Sequence, residues 1–199
     1  MSPAEVFAVV ERDAPFYRAS GGGVTISGGE PLIWPEFVES LLRLCRDAGI
    51  HTAIETHGVV ASEILERVVA HVDLFLFDYK ADPAEGYRRL TGRAAQGLLP
   101  NLAMLHARGR PVVLRCPIVP TLNDDDDHLR SIAELARTYP QMPVEVMPFH
   151  NTARDKWRAV EYEYTLAEQE SMPRSAALEI GRRLVELGVP GSRLTVRGV

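Results

Sequence analysis

Four short stretches of the sequence gather the residue types that do chemistry: Ser27-Gly28-Gly29-Glu30-Pro31, Glu55-Thr56-His57-Gly58, Asp78-Tyr79-Lys80 and Pro148-Phe149-His150. They offer carboxylate acceptors in Glu55 and Asp78, a cation in Lys80 and an imidazole in His150. At Gly28 and Gly29 the missing side chain lets a ligand approach the main chain and its amide groups. Arg115 sits inside the apolar run Val112-Val113-Leu114-Arg115-Cys116-Pro117-Ile118. A charge there is costly unless it meets an anion, and a carboxylate matches the guanidinium fork. Acceptors, cations and open backbone together suit a zwitterionic small molecule.

The elements that must position these residues follow from periodicity. Ser2 as cap, Pro3 at the first position and the stripe Val6, Val9, Val10 predict a helix over 3–13. The glycine clusters around Val24 to Ile26 predict a short strand ending in a loop. Phe37, Leu41 and Cys45, with Val38 and Leu42 beside them, predict a helix over 35–48 stopped by Gly49. The alternation continues with strand 50–55, helix 61–71, strand 73–78, helix 96–108, strand 111–117, helix 125–139, strand 143–148, helix 174–188 and a last strand 193–197. Strands alternating with helices of this length predict βαβ units around a parallel sheet, open or barrel-like, with chemistry at the C-terminal strand ends. All four polar stretches fall there. The period of two puts Leu74, Leu76, Asp78 and Lys80 on one face of their strand and Phe75, Phe77 and Tyr79 on the other. Likewise Val113, Arg115 and Pro117 oppose Leu114, Cys116 and Ile118, so Arg115 and Cys116 cannot share a site.

At 199 residues, 46% hydrophobic and 25% charged, the chain is expected to fold as a single domain, residues 1–199. A net charge of −5 with scattered basic residues gives no footprint for nucleic acid. No apolar run is long enough to span a bilayer and no signal peptide opens the chain, which leads to the expectation of a cytoplasmic protein away from membranes. Cys45 and Cys116 read as small core residues. The acidic run Asp124 to Asp127 reads as the cap and first turn of a helix rather than a metal site. His51, His71, His106 and His128 read as surface or hydrogen-bonded residues, and Trp157 with Tyr162 and Tyr164 as a hydrophobic cover over the last loop.

In their order and spacing, SGGEP, ETHG, DYK, RCPIVPTLNDDDDH and MPFHNTARDKW resemble the radical S-adenosylmethionine activases of glycyl radical enzymes, the pyruvate formate-lyase activating enzyme family, over essentially the whole chain. The resemblance implies an α/β fold, a partial (β/α) barrel with parallel strands, binding S-adenosylmethionine. It implies that Gly28, Gly29 and Glu30 receive the methionyl amino group, with Glu55 near that group, and a monovalent cation near Glu55, Thr56 and Asp78. Asp78 and His150 would hold the ribose, and Lys80 and Arg115 would lie near the methionyl carboxylate. The implied partners are a pyruvate formate-lyase-like glycyl radical enzyme and a reductant such as flavodoxin or ferredoxin.

In that family a reduced [4Fe-4S] cluster on a C-x3-C-x2-C loop splits S-adenosylmethionine and yields a 5'-deoxyadenosyl radical. The sequence contains no such loop and assigns no catalytic or cluster-ligating residue, so it is expected to be an activase body shortened at its N-terminus and lacking the first barrel strand. The strand at Val24 would then carry an exposed edge that favours self-pairing. Glu55 and His57 also replace the family's usual Asp and Asn. Two other readings compete: a non-catalytic module that binds S-adenosylmethionine or a partner, and a metal-dependent barrel hydrolase or aldolase using Glu55, Asp78 and His150.

Overall fold

A computed structural model describes residues 1–82, 86–92, 94–152 and 164–198. The strands are β1 (Gly23–Ile26), β2 (His51–Thr56), β3 (Leu74–Asp78), β4 (Val112–Ile118), β5 (Val144–Pro148) and β6 (Leu194–Val196). They form a six-stranded sheet in simple sequence order, β1-β2-β3-β4-β5-β6. The helices are α1 (Pro3–Val10), α2 (Ala14–Ser20), α3 (Pro35–Asp47), α4 (Ser62–Val69), α5 (Gly86–Thr91), α6 (Leu98–Ala107), α7 (Asp126–Thr138) and α8 (Arg174–Glu186). This is the α/β alternation the periodicity predicts, with two additions. Helix α2 buries only Ala14 and leaves Phe16 exposed, so it carries no apolar stripe to detect. Helix α5 spans six residues and is too short for a helical period to register. No helix among the described residues is long and apolar enough to cross a membrane.

Contacts divide the chain into two compact units, Met1–Asp78 with Arg93–Leu114, and Tyr79–Gly92 with Arg115–Val199. In the first, β1 pairs in parallel with β2 and β2 with β3, in a register that sets Ile26 beside Ile54 and Thr56 beside Phe77. Ser2 and Glu5 close a capping box at the start of α1, satisfying end groups the helix cannot satisfy itself. Helices α1, α2 and α3 share a core of Ala14, Leu41, Cys45 and Ile50, with Val6, Phe7, Val10 and Phe37 packed around it. Gly23 opens β1 because a side chain there would overlap the His51 carbonyl of the neighbouring strand.

The C-terminal end of α4 is held by two arginines. Arg46 donates to the Ala70 carbonyl at 3.2 Å, and Arg110 donates to the carbonyls of Val69 and Val72. These oxygens have no partner inside the helix, and a cation beside them also opposes the helix dipole.

In the second unit β5 and β6 pair in parallel, Val144 beside Leu194 and Val146 beside Val196. The Phe149 amide donates to Ile118 and the Tyr79 amide to Arg115. Helix α7 buries His128, Leu129, Ile132, Ala133 and Ala136, and α8 buries Ala177, Ile180, Gly181 and Leu184. Arginines again hold helix ends: Arg193 donates to the carbonyls of Ala136, Tyr139 and Met142, and Arg137 to that of Leu187. The acidic run caps as expected, with the Asp125 carboxylate accepting the His128 amide at 2.9 Å. Asp126 and Asp127 fall in the first turn, both paired with Arg130.

Burial along the strands alternates as the period of two requires. In β3, Phe75 and Phe77 are fully buried while Leu74, Leu76 and Asp78 are half-buried. In β4, Leu114, Cys116 and Ile118 are buried while Val113, Arg115 and Pro117 are half-buried. Each fully buried aromatic ring contributes about 2 kcal/mol of burial free energy, enough to fix the register of its strand against a slip of one residue.

Candidate functional site

In the first unit the site is built at the ends of β1, β2 and β3. After β1 the chain enters Ser27-Gly28-Gly29-Glu30, where Gly28 has φ +139°, a conformation that L side chains rarely adopt. A Cβ built on Gly28 or Gly29 would meet nothing within 4 Å, so the backbone of the loop faces open space. Ser27 donates its hydroxyl to the Glu55 carboxylate at 2.8 Å. Glu55 pairs in register with Leu76, and Asp78 follows Leu76 on the same face of β3, so Glu55 and Asp78 share one face.

Glu30 has a second occupation. Its carboxylate, 7% exposed, lies 3.3 Å from His57 Nε2 and accepts the His57 amide at 3.0 Å, the Leu32 amide at 3.1 Å and the Thr56 hydroxyl at 2.9 Å. The side chain therefore caps the short turn Pro31–Ile33 and fastens the glycine loop to the end of β2. Its oxygens serve the fold, and the loop's open groups are those of the Gly28 and Gly29 backbone. The Thr56 hydroxyl, which donates to Glu30, also accepts the Gly58 amide at 3.0 Å. His57 Nδ1 accepts the Val59 amide at 3.0 Å.

Beyond β2 the loop is pinned again by Asn101, which is fully buried and donates to the carbonyls of Gly58 and Val60, both at 2.8 Å. Ser62 donates to Asn101 Oδ1 at 2.8 Å. Sequence reasoning missed Asn101, because an asparagine within a predicted helix gives no signal until its buried partners are known.

In the second unit, Lys80 is half-buried and its carbonyl accepts Asn123 Nδ2 at 2.7 Å. The same nitrogen donates to the Pro117 carbonyl at 2.7 Å, and Asn123 Oδ1 accepts the Val119 amide at 2.6 Å. Asn123, 2% exposed, thus locks the backbone after β3 to the end of β4, a second node sequence reasoning missed. It also holds a turn in which Thr121 takes φ +67°, an uncommon conformation for a β-branched residue. Arg115, read as the partner of a carboxylate, donates Nε to the Met147 sulfur at 3.0 Å across to β5. His150 is exposed at the end of β5, with the backbone of Gly198 against its ring. Trp157 and Tyr162, read as a cover, lie outside the described residues, and Tyr164 is half-buried.

Tyr79 points to the face opposite Lys80, where it stacks on His128 with ring centroids 5.4 Å apart. Burial pushes the Tyr79 phenol up to about 12. Burial also pushes the His128 imidazole down to about 4, against the opposing pull of Asp125 and Asp82. The expectation that the isolated histidines are surface or hydrogen-bonded fails at His128, which is 4% exposed with both ring nitrogens lacking a hydrogen-bond partner. It lies on the apolar face of α7, so its helical position outweighed its polarity.

Cys45 and Cys116 are both fully buried, one on α3 and one on β4, and burial pushes the Cys45 thiol up. Among the described residues no group of three or more His, Cys, Asp or Glu is placed to hold a metal ion.

Comparison with known proteins shows the family of the chain. The model of the radical SAM superfamily matches residues 1–133. The chain is 36% identical over 167 residues to the choline trimethylamine-lyase activating enzyme of Oleidesulfovibrio alaskensis, covering 82% of this chain and 54% of that protein. It is 34% identical over 188 residues to the pyruvate formate-lyase-activating enzyme of Clostridium pasteurianum, covering 94% of this chain and 79% of that one. The chain therefore spans between about half and four fifths of the length of these relatives. A crystal structure of a domain of the pyruvate formate-lyase-activating enzyme from Bacteroides vulgatus superposes with a TM-score of 0.70 at 23% identity, over 89% of this chain and 99% of that one, which establishes the shared fold. On the family match and the coverage of the Clostridium relative, the chain belongs to the radical SAM superfamily and, within it, to the glycyl radical enzyme activating enzymes.

Proposed function

We propose that this chain is the S-adenosylmethionine-binding body of an activase that serves a glycyl radical enzyme, supplied with electrons by a small redox protein such as flavodoxin or ferredoxin. The observation that carries the reading is the Ser27–Glu30 loop, whose glycine backbone faces open space while both its ends are fastened to β2. Such a loop offers fixed main-chain acceptors to an ammonium group without ordering itself at the moment of binding. In the first unit, Gly28, Gly29 and Glu55 would take the amino group, with Glu30 holding the loop, and Asp78 a ribose hydroxyl. In the second, Lys80 and Arg115 would neutralise the carboxylate by charge-assisted hydrogen bonds, and His150 would meet the ribose.

Bound S-adenosylmethionine supplies the family with its 5'-deoxyadenosyl group, released as a radical at a [4Fe-4S] cluster. The residues of this chain do not fit that cluster. Three thiolates are required, the sequence has two cysteines, and both are buried in the packing of helix and strand. Anaerobic reconstitution of the chain with iron and sulfide is accordingly expected to leave no stable cluster absorbance and no 5'-deoxyadenosine; the appearance of either would overturn the reading of the cysteines.

Calorimetric titration with S-adenosylmethionine tests the site. Asp78→Ala and Lys80→Ala are each expected to lower affinity by about tenfold, the value of one charged hydrogen bond. Cys116→Ala, on the buried face of β4, is expected to leave affinity unchanged while lowering stability. Equal effects of all three on affinity would sink the proposed site.

A further inference from the structure

The glycine loop has little of its own to hold it in place. Gly28 and Gly29 contribute no side chain, and among the described residues the loop is secured by what its flanking residues Ser27 and Glu30 reach. Ser27 reaches Glu55, and Glu30 reaches the end of β2 through the Thr56 hydroxyl, the His57 amide and the His57 ring. The ring is the more instructive contact. Because Nδ1 accepts the Val59 amide at 3.0 Å, the proton of the neutral imidazole resides on Nε2, the nitrogen that faces Glu30 Oε2 at 3.3 Å. The Thr56 hydroxyl has a single proton to give and divides it between the two Glu30 oxygens, each at 2.9 Å. The imidazole is thus a second side-chain donor to a carboxylate that is only 7% exposed. It is itself aimed by a backbone segment that Asn101 pins from the other side.

We infer that His57 is a positioning residue. It ties Glu30 to the Val59 backbone and so fixes the Gly28-Gly29 loop at a set distance from Glu55, where the amino group of a ligand is received. The inference rests on the S-adenosylmethionine reading above and adds a residue which that reading does not assign. Removing the tie frees the loop in the unbound protein, so ordering it must be done by the ligand and affinity falls.

Two substitutions divide the imidazole into its halves. In His57→Gln the side-chain nitrogen takes the place of Nε2, keeping the donor to Glu30 and losing the acceptor for Val59. In His57→Asn the side-chain oxygen takes the place of Nδ1, keeping Val59 and falling short of Glu30. Amide hydrogen exchange at Gly28 and Gly29 in the free protein, thermal midpoints, and calorimetric titration with S-adenosylmethionine are measured for both and for the wild type. The expected result is faster exchange and about tenfold weaker binding in His57→Asn, with His57→Gln within about twofold of wild type, while the two midpoints fall alike. Equal affinities of the two variants, or affinities that follow the midpoints instead of the exchange rates, would overturn the inference. A wild-type chain that gives no binding heat overturns the ligand site and this inference with it, whereas binding that His57→Asn does not weaken overturns the tie alone.

Discussion

Replacing Gly58 by alanine is expected to lower the thermal midpoint by about 6–12 °C and to weaken S-adenosylmethionine binding by more than tenfold, on a destabilisation of about 3 kcal/mol. Two costs add. Gly58 has φ +65°, where an L residue loses about 1 kcal/mol, and a Cβ there would overlap the ring of Phe77. Phe77 is fully buried, so the ring has nowhere to go and the loop must lift, straining the Asn101 bonds to Gly58 and Val60. Gly49→Ala is the matching control. It has φ +68° but nothing within 4 Å of the added carbon, so it should cost only the conformational part, about 1 kcal/mol. Calorimetric melting of the two variants checks this; equal losses would show that the Phe77 contact is not a constraint.

Acid is expected to act on this protein through His128. The imidazole sits near 4 in the folded chain against 6.5 as an ordinary histidine, because burial penalises its charged form. Between those two values the unfolded chain binds the proton and the folded chain does not. Stability is therefore fully present above about pH 6.5 and declines as pH falls towards 4, by about 3 kcal/mol in all. His128→Phe keeps an aromatic partner for Tyr79 and removes the titrating group, as well as two ring nitrogens that lack hydrogen-bond partners. Denaturant unfolding across this pH range should show the variant's stability curve flatter by that amount, and higher than wild type at pH 5. Parallel curves for the two proteins would show that the buried imidazole is not what responds to acid.

The strand faces were legible in the sequence because alternation is a local property. Phe75 and Phe77 could be assigned to one face of β3, and Asp78 to the other, from spacing alone; which face is buried came with the structure. Helix α3 was legible for the same reason, its buried residues Val38, Leu41, Leu42 and Cys45 recurring at helical intervals. What stayed hidden depends on partners distant in sequence. The resemblance assigned Glu30 to the amino group of a ligand, and its use as a fastener of the loop required Thr56 and His57 to be folded beside it. Asn101 and Asn123 were invisible for the same reason, since a buried amide is recognised only by the carbonyls it satisfies. Helix α2 was hidden differently: its sequence carries no core stripe, and it follows α1 with only a short 3-10 turn between them.

The four arginines that hold helix ends, Arg46 and Arg110 in one unit and Arg137 and Arg193 in the other, bear on how such a chain can diverge. Each binds carbonyls at the C-terminus of a helix, the end that leads into the next strand and lies opposite the strand ends from which the glycine loop and its neighbours spring. Within each unit the anchors and the strand-end loops thus lie at opposite ends of the strands. Loops at the strand ends can drift in length and composition without loosening these anchors, which keep the fold above its threshold for unfolding.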